Sequence, residues 1–350
     1  MRPYWLFCAG EDSGDVLGES LVQEILEKGF DALGAGGRRM EGAGLLPLVP
    51  FDDLPVNGFG DVLLHSHRLA KNFKILRRAL LNENCHGLVA VDYPGFNLKL
   101  MQLALQMEKR VIYVEPPQIW AWKPKRVQAF LSPEAKRLVE LRALYDIEIE
   151  AYQKFGLHVQ KIPHPLLQKR NSFAEENFSL TAKDRATAPI LLFPGSRLSQ
   201  AKRNLELYRR LADKLTSKGQ NVVFVASRTE LFRFLEGKFC GEFRVQISPQ
   251  SAEERFALLQ SAKCVVSGPG SAMMEAFLAK TPCVAASRIE PLTFCMGKLF
   301  LKTKHLTLPN IQADRLQKEA SIPEYVQSVF SNVDAQAAKV FYAVEKFIFF

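Results

Sequence analysis

The feature of this sequence that most constrains its fold is an alternation of short apolar runs with longer segments of helical periodicity. The runs are four or five residues long, rich in Val, Ile, Leu and Phe, and almost free of charge. Such runs are typical of parallel strands that are buried on both faces. They cover residues 4–8, 87–91, 111–114, 189–193, 222–226, 264–267 and 283–286. The alternation predicts an α/β protein with doubly wound parallel sheets.

One polar stretch, residues 168–188, interrupts this alternation. A chain of 350 residues is longer than one hydrophobic core usually fills, so two domains are expected. We predict a first domain over residues 1–167, a linker over 168–188 and a second domain over 189–321. Residues 322–350 are predicted to be helical, to contain no strand, and to pack either on the first domain or on a partner subunit in a homodimer.

The charge balance favours anionic partners. There are 46 Lys and Arg residues against 37 Asp and Glu residues, a formal net charge of +9. Six cysteines without a CxxC pair do not indicate a disulfide framework or a zinc ribbon. No apolar segment is long enough to span a membrane, and acidic residues follow the first apolar run too soon for a signal peptide. We therefore expect a cytoplasmic protein.

Ligands of open α/β sheets bind beyond the carboxyl ends of the strands, so the residues that follow each run are the candidates for a site. After the first run, Glu11 and Ser13 lie between Gly10 and Gly14, and Asp15 follows directly. Ser13 or Asp15 can cap the next helix, and the same acidic turn can contact a substrate. Three acidic residues in this turn argue against a phosphate there.

Asp92 directly follows the run of residues 87–91 and precedes a Pro-Gly turn. A carboxylate held at the end of a strand can act as a general base toward a bound hydroxyl. The alternative is an Asx-turn carboxylate that bonds only to its own loop.

Two turns of the second domain have the composition of a phosphate site. Pro194-Gly195-Ser196-Arg197 brings backbone amides, a hydroxyl and a guanidinium together, and the planar guanidinium suits diphosphate oxygens. Gly270-Ser271-Ala272 opens a predicted helix that carries Glu275, which can accept hydrogen bonds from a ribose. Together they predict a nucleotide site.

Other cofactor motifs do not match. The glycine-rich stretch of residues 34–39 has Arg39 in place of the third glycine of a dinucleotide-binding fingerprint, and there is no Walker A lysine motif. The histidines do not cluster with carboxylates at ligand spacing. We expect a mechanism without metal or cofactor.

Residues 62–81 predict a basic amphipathic helix. Its apolar face consists of Leu69, Phe73, Leu76 and Leu80, and five Lys and Arg residues lie in the same segment. Such a helix can dock on an anionic membrane surface or simply cover a core. Residues 294–305 form a second basic, apolar stretch. We expect a peripheral membrane contact and no nucleic acid partner.

Seven stretches, in this order, resemble the lipid-A-disaccharide synthase family. They are Gly-Glu-Asp-Ser-Gly-Asp at 10–15, Val-Asp-Tyr-Pro-Gly-Phe-Asn at 91–97, Trp-Ala-Trp-Lys-Pro-Lys-Arg at 120–126, His-Pro-Leu-Leu at 164–167, Pro-Gly-Ser-Arg at 194–197, Gly-Ser-Ala-Met-Met-Glu at 270–275 and Leu-Pro-Asn at 308–310.

The resemblance implies a GT-B fold, in which two Rossmann-like domains face each other across a cleft. It also implies a metal-independent, inverting transfer at the inner membrane. That reaction joins UDP-2,3-diacylglucosamine to 2,3-diacylglucosamine 1-phosphate (lipid X) and releases UDP and a β(1→6) disaccharide 1-phosphate. Asp92 would be the base and Arg197 would stabilise the departing UDP. The remaining residues it implies are Gly195, Ser196, Gly270, Ser271, Ala272, Glu275, Asn310, Glu324 and Gln327 for the nucleotide, and Glu11, Ser13, Asp15 and Trp122 on the acceptor side.

The sequence departs from the family pattern at a few positions. Pro163 and Gln168 replace a glycine and an acidic residue, and Asp146-Ile147-Glu148 stands where Pro-Phe-Glu is usual. A nucleotide-sugar 2-epimerase or another UDP-sugar transferase on the same scaffold is the alternative function.

Overall fold

The computed structural model describes residues 2–54, 66–121, 123–165, 187–249, 251–291, 293–295 and 303–348. The chain forms two compact units, residues 1–165 and 166–350. Most of the predicted linker, residues 168–188, lies outside the described residues.

The first unit is a parallel sheet with helices on both faces. Its strands are β1 (Tyr4–Ala9), β2 (Asp31–Ala35), β3 (Leu46–Pro47), β4 (Cys85–Val91), β5 (Arg110–Val114), β6 (Val139–Ala143) and β7 (Val159–Lys161). Its α-helices are α1 (Asp12–Glu27), α2 (Arg38–Gly42), α3 (Ser66–Leu81), α4 (Pro94–Gln106), α5 (Pro133–Leu138) and α6 (Asp146–Gln153). The strand order is β3-β2-β1-β4-β5-β6-β7.

The second unit repeats this architecture. Its strands are β8 (Ile190–Phe193), β9 (Val222–Ala226), β10 (Arg244–Ile247), β11 (Cys264–Ser267), β12 (Cys283–Ile289) and β13 (Glu324–Ser328). Its helices are α7 (Leu198–Ser217), α8 (Thr229–Phe239), α9 (Ala252–Gln260), α10 (Ser271–Leu278), α11 (Leu308–Arg315) and α12 (Val333–Ile348). The order is β10-β9-β8-β11-β12-β13, and its described strand pairs are parallel.

The apolar runs form strands because both of their faces are buried. Leu6 belongs to the core on one face of the first sheet, and its neighbour Phe7 belongs to the core on the other. Leu192 and Leu191 divide in the same way between the two faces of the second sheet. The predicted doubly wound α/β class is therefore confirmed in both units.

Each sheet reverses its direction of growth once. In the first unit, the chain builds outward from β1 to β3 and then continues from β4 on the other side of β1. In the second unit, the same reversal separates β8 from β11. This strand order is that of Rossmann folds, whose ligands bind at the carboxyl edge beside the reversal. We call these two places the first and second switch points.

The prediction that residues 322–350 contain no strand is wrong. Glu324–Ser328 pairs in parallel with β12, as the edge strand of the second sheet. All five residues of this strand are only half-buried, and three of them are polar, so it lacks the apolar run that identified the other strands. The helix that follows, α12, contributes Ala337, Val340 and Val344 to the core of the second unit. The apolar face that these residues form is thus covered by the second unit itself.

The basic helix is present as α3, but its apolar face covers a core. Leu76 and Leu80 are fully buried in the first unit, and Leu69 and Phe73 pack against the same cluster. This face cannot also insert into a membrane. The basic residues Arg68, Lys71, Lys74, Arg77 and Arg78 are exposed. Among the residues described, no helix is long and apolar enough to cross a membrane. Most of residues 294–305 lies outside the described ranges.

Candidate active site

The first switch point places Asp92 at a rigid, left-handed turn. β1 and β4 are in register, with Ala9 opposite Val91, so Gly10 and Asp92 leave the sheet side by side. Asp92 and Tyr93 have φ angles of 45° and 49°. Left-handed backbone is uncommon for residues other than glycine and often occurs at functional sites, where the surrounding structure must hold it.

Hydrogen bonds hold this turn. The backbone N–H of Asp92 donates to the Val114 carbonyl at 2.8 Å. The fully buried amide of Asn97 lies within 3.2 Å of three carbonyls, those of Cys8, Val91 and Asp92. The Asp92 carboxyl therefore extends from a backbone that is fixed to both central strands.

Gly10 is required by packing. A Cβ at this position would lie 2.4 Å from the ring of Tyr93, which covers it. The Tyr93 hydroxyl donates to the carbonyl of Leu54 at 2.8 Å. The ring therefore closes one side of the turn that carries Asp92.

The three predicted acceptor-side residues of the acidic turn have different environments. Glu11 is the half-buried N-cap residue of α1, and Ser13 is half-buried in its first turn. Asp15 is 7% exposed, and its carboxylate accepts hydrogen bonds from the backbone amides of Arg39 and Met40, both at 3.1 Å. Burial raises the pKa of Asp15, while these amides lower it.

Asp15 therefore caps the start of α2, and its two carboxylate oxygens are engaged there. This placement gives Asp15 a structural role, and the substrate contact predicted for it stays a prediction. Trp122, the fourth predicted acceptor-side residue, lies outside the described residues.

At the second switch point, the two glycine turns meet at Gln200. β8 and β11 are in register, with Phe193 opposite Ser267, so both turns begin at the same level. The side-chain carbonyl of Gln200 accepts from the Ser196 N–H at 3.2 Å. A Cβ at Gly195, whose φ is 150°, would lie 2.8 Å from the Gln200 side chain, and one at Gly268 would lie 3.5 Å from its amide nitrogen.

Asn204, one helical turn further along α7, ties these turns to β12. Its amide donates to the Pro194 carbonyl at 2.6 Å, and its carbonyl accepts from the Arg288 N–H at 2.6 Å. Sequence reasoning missed both Gln200 and Asn204. The sequence feature that could have identified them is a pair of amide side chains, spaced four residues apart on the helix that follows Arg197. Arg197 itself is the partly exposed N-cap residue of α7.

The turn before α10 leaves room beside its backbone. A Cβ at Gly270 would meet no atom within 4 Å, so packing does not require a glycine there. Gly270 is the N-cap residue of α10, and Ser271 and Ala272 form its first turn. The amide groups at a helix N-terminus favour an anion. A bare backbone beside open space suits the close approach of a phosphate.

Glu275 is held in place by an arginine that sequence reasoning did not identify. Glu275 is 4% exposed, and Arg255 of α9 places its Nε 2.6 Å from a Glu275 carboxylate oxygen. An ion pair of this kind gives a buried carboxylate a fixed orientation. Arg255 is thus a positioning residue for Glu275.

Asn310 has structural partners, and the nucleotide contact predicted for it stays a prediction. Asn310 is fully buried, its amide donates to the Ile322 carbonyl and to Glu324, and its carbonyl accepts from the Ile322 N–H. Glu324 also accepts from the backbone amides of Leu306 and Thr307, both at 2.9 Å. The two side chains join the start of α11 to β13, and they are largely consumed in doing so.

Register explains why these residues still lie near the second switch point. Glu324 is opposite Ala285, which is opposite Ser267 at the end of β11. Gln327 lies further along β13, opposite Arg288, and is half-buried. Among the residues described, no group of three or more His, Cys, Asp and Glu side chains is arranged to hold a metal ion.

Two Rossmann-like units, each with its turns gathered at a switch point, place this chain in the GT-B fold class. A solved structure of UDP-GlcNAc 2-epimerase from Methanocaldococcus jannaschii, in complex with UDP-GlcNAc and UDP, is similar with a TM-score of 0.58 and 13% identity, over 99% of this chain and 93% of that one. UGT89C1 from Arabidopsis thaliana, complexed with UDP-L-rhamnose, is similar with a TM-score of 0.53 and 11% identity, over 99% and 91%. At these identities the likeness shows the fold alone.

The chain belongs to the lipid-A-disaccharide synthetase family, whose model matches residues 5–346. It is 32% identical to the lipid-A-disaccharide synthase of Trichlorobacter lovleyi over 341 residues, which cover 92% of this chain and 85% of the relative. It is 30% identical to that of Alkalilimnicola ehrlichii over 333 residues, 91% of this chain and 84% of the relative.

Proposed function

We propose that this protein is the glycosyltransferase that joins UDP-2,3-diacylglucosamine to 2,3-diacylglucosamine 1-phosphate. The products are a β(1→6) disaccharide 1-phosphate and UDP. Membership of the family supports this activity. The observation that carries the mechanism is the division of chemistry between the two switch points: a fixed carboxylate at the first and two glycine turns with a nearby arginine at the second.

The acceptor is activated at the first switch point. Asp92 removes the proton of the acceptor 6-hydroxyl as this oxygen attacks the anomeric carbon of the donor sugar. General-base assistance of this kind typically contributes about 10²–10⁴ in rate. The left-handed turn supports the role, because a carboxyl on a backbone fixed by Asn97 loses little entropy when it meets the hydroxyl.

The leaving group is stabilised at the second switch point. As the carbon–oxygen bond to the diphosphate breaks, negative charge grows on UDP. Arg197 and the amides at the start of α10 lie at the turns where a diphosphate would bind, and preorganised donors of this kind stabilise developing charge. The positive charge of Arg197 and of the α10 N-terminus lets us infer that the transfer needs no metal. Because the reaction is a single displacement, it inverts the anomeric configuration.

The nucleoside is held by residues beside these turns. Gly195, Ser196 and Ser271 contact the phosphates, and the carboxylate of Glu275, oriented by Arg255, accepts hydrogen bonds from the ribose. Asn310 and Glu324 act indirectly in this proposal, by holding α11 beside the site. Gln327 is a further candidate for a nucleotide contact.

The substrates carry acyl chains, so we propose that the protein works at the cytoplasmic face of the inner membrane as a peripheral protein. The exposed basic face of α3 supports electrostatic attraction to anionic lipid, since each basic residue near such a surface contributes about 1 kcal/mol.

Incubation with UDP-diacylglucosamine, with and without the lipid acceptor and with and without EDTA, tests this function. We expect UDP release and disaccharide formation only when the acceptor is present, and equal rates with EDTA. UDP release without acceptor, or recovery of a 2-epimerised donor sugar, would contradict the transferase and favour an epimerase. Loss of turnover in EDTA would contradict only the metal independence of the transfer and not the transferase activity itself.

A further inference from the structure

Two further carboxyls, those of Glu115 and Glu148, lie beside Asp92 at the carboxyl edge of the first sheet. Val91 and Val114 are opposite each other in β4 and β5, so Asp92 and Glu115 leave the sheet as neighbours. Glu115 has a left-handed φ of 52°, like Asp92, and its carboxyl accepts from the Leu144 N–H at 2.9 Å. Glu148 of α6 lies behind it and is 1% exposed. The reaction as described above uses neither glutamate.

The environment of Glu148 requires a proton. Its carboxyl is in hydrogen-bonding proximity to that of Glu115 and near the backbone amide of Tyr145. No donor in the described part of the chain makes a well-formed hydrogen bond to either Glu148 oxygen. Two ionised carboxylates only accept hydrogen bonds and repel each other. A stable contact between them therefore needs a proton on one of the two.

Burial and the neighbouring acidic groups favour the protonated form of Glu148. Burial, followed by the charge of Glu115, raises the pKa of Glu148 well above its usual value, and Asp92 adds to the effect. Burial also raises the pKa of Glu115, and the hydrogen bonds from Leu144 and from Glu148 oppose this rise. The phenols of Tyr113 and Tyr152 also face this cluster, and Arg126 lies near both of them.

We propose that Glu148 is a positioning residue that keeps a proton at neutral pH and donates it in a hydrogen bond to Glu115. Two consequences follow. First, the bond fastens the segment after β5 to α6, alongside the bond of 2.8 Å from the Tyr152 hydroxyl to the Pro117 carbonyl. Second, the pair carries one negative charge, not two, next to Asp92. The effect on turnover rests on the proposed function, whereas the protonation itself does not.

Stability against pH tests the protonation independently of activity. A carboxyl with a raised pKa binds more protons in the folded than in the unfolded protein between its two pKa values, so the free energy of unfolding falls as pH rises through that range. For this pair, the range begins near 4.5, the unperturbed value, and extends up to the raised pKa values of the folded protein. The Glu148→Gln variant keeps a donor and loses this titration. Its melting temperature should therefore rise relative to wild type from pH 5 to pH 8.

The matched control is Glu150→Gln, which removes an exposed carboxyl from the same helix. Its melting temperature should follow that of the wild type at every pH. Parallel curves for Glu148→Gln and the wild type over this range would overturn the proposal.

Turnover tests the positioning role. At pH 6, kcat/KM of Glu148→Gln should remain within about twofold of wild type, since a neutral amide replaces the protonated acid. The kcat/KM of Glu148→Leu should fall about tenfold, because Glu115 then loses the hydrogen bond that Glu148 donates. The kcat/KM ratio of Glu148→Gln to wild type should rise as the pH is raised above neutral, because the wild-type pair then loses its proton. If Gln impairs turnover as much as Leu at pH 6, an ionised Glu148 is needed and the proposal is wrong. An inactive wild-type protein would instead overturn the proposed function. The melting curves would then still test whether Glu148 keeps its proton.

Discussion

At the scale of single residues, Asp92 is positioned by its backbone, whereas its proposed role in the reaction belongs to its carboxyl. The backbone is held by the carbonyl of Val114 and the amide of Asn97, and neither bond involves the Asp92 carboxyl. Asn and Asp tolerate left-handed backbone better than other residues with side chains. The carboxyl can therefore be replaced without disturbing the turn.

For this reason we expect Asp92→Asn to fold normally and to lose about 10²–10⁴ in kcat. The measurement is disaccharide formation at saturating substrates. Thermal unfolding and UDP affinity, both unchanged from wild type, are the controls. Near-normal turnover would move the base elsewhere, with Glu11 at the same switch point as the next candidate.

At the scale of secondary structure elements, two different roles can be assigned to the side chains of Asn310 and Glu324. The resemblance implies nucleotide binding, whereas the structure uses both side chains to join α11 to β13. The two roles predict different consequences for the same substitution.

We expect Asn310→Ala to lower the free energy of unfolding by about 1–3 kcal/mol or more, because the buried N–H and C=O of Ile322 lose their partners. Chemical denaturation measures this, with Gln312→Ala on the same helix as the control. UDP affinity should fall only as far as the site is disturbed. A variant of wild-type stability with strongly weakened UDP binding would restore the direct contact.

At the scale of the whole molecule, the charge of +9 and the basic face of α3 predict where the protein works. Because the apolar face of α3 is buried in the first core, its attraction to a membrane must be electrostatic. Such attraction is screened within a Debye length, about 8 Å at physiological salt.

We therefore expect charge reversal at Lys71, Lys74 and Arg78 to weaken binding to anionic vesicles by at least about a hundredfold at low salt, from about 1 kcal/mol for each charge removed. Vesicle sedimentation measures the binding. The control reverses Lys214, Lys218 and Arg244, three exposed basic residues of the second unit, and changes the net charge equally. Equal binding by both triple variants would show that net charge, not α3, is responsible.

The sequence by itself determined the fold class and the places where a site can form. Strands buried on both faces leave apolar runs that can be read directly, as in residues 190–193 and 222–226. The turns after such strands carry Asp92, Gly195 and Gly270, because the carboxyl edge is where parallel sheets bind ligands. The edge strand β13 was not predicted, because its residues are only half-buried and do not form an apolar run.

Only the tertiary structure decided what the polar side chains do. The sequence shows that Asp15, Asn310 and Glu148 are polar residues near turns, but their partners lie on elements distant in the chain. Asp15 meets α2, Asn310 meets Ile322 two residues before β13, and Glu148 meets Glu115 directly after β5. A buried polar group must find a partner or keep a proton. Which of these it does depends on neighbours that only the pairing of strands and the packing of helices bring within reach.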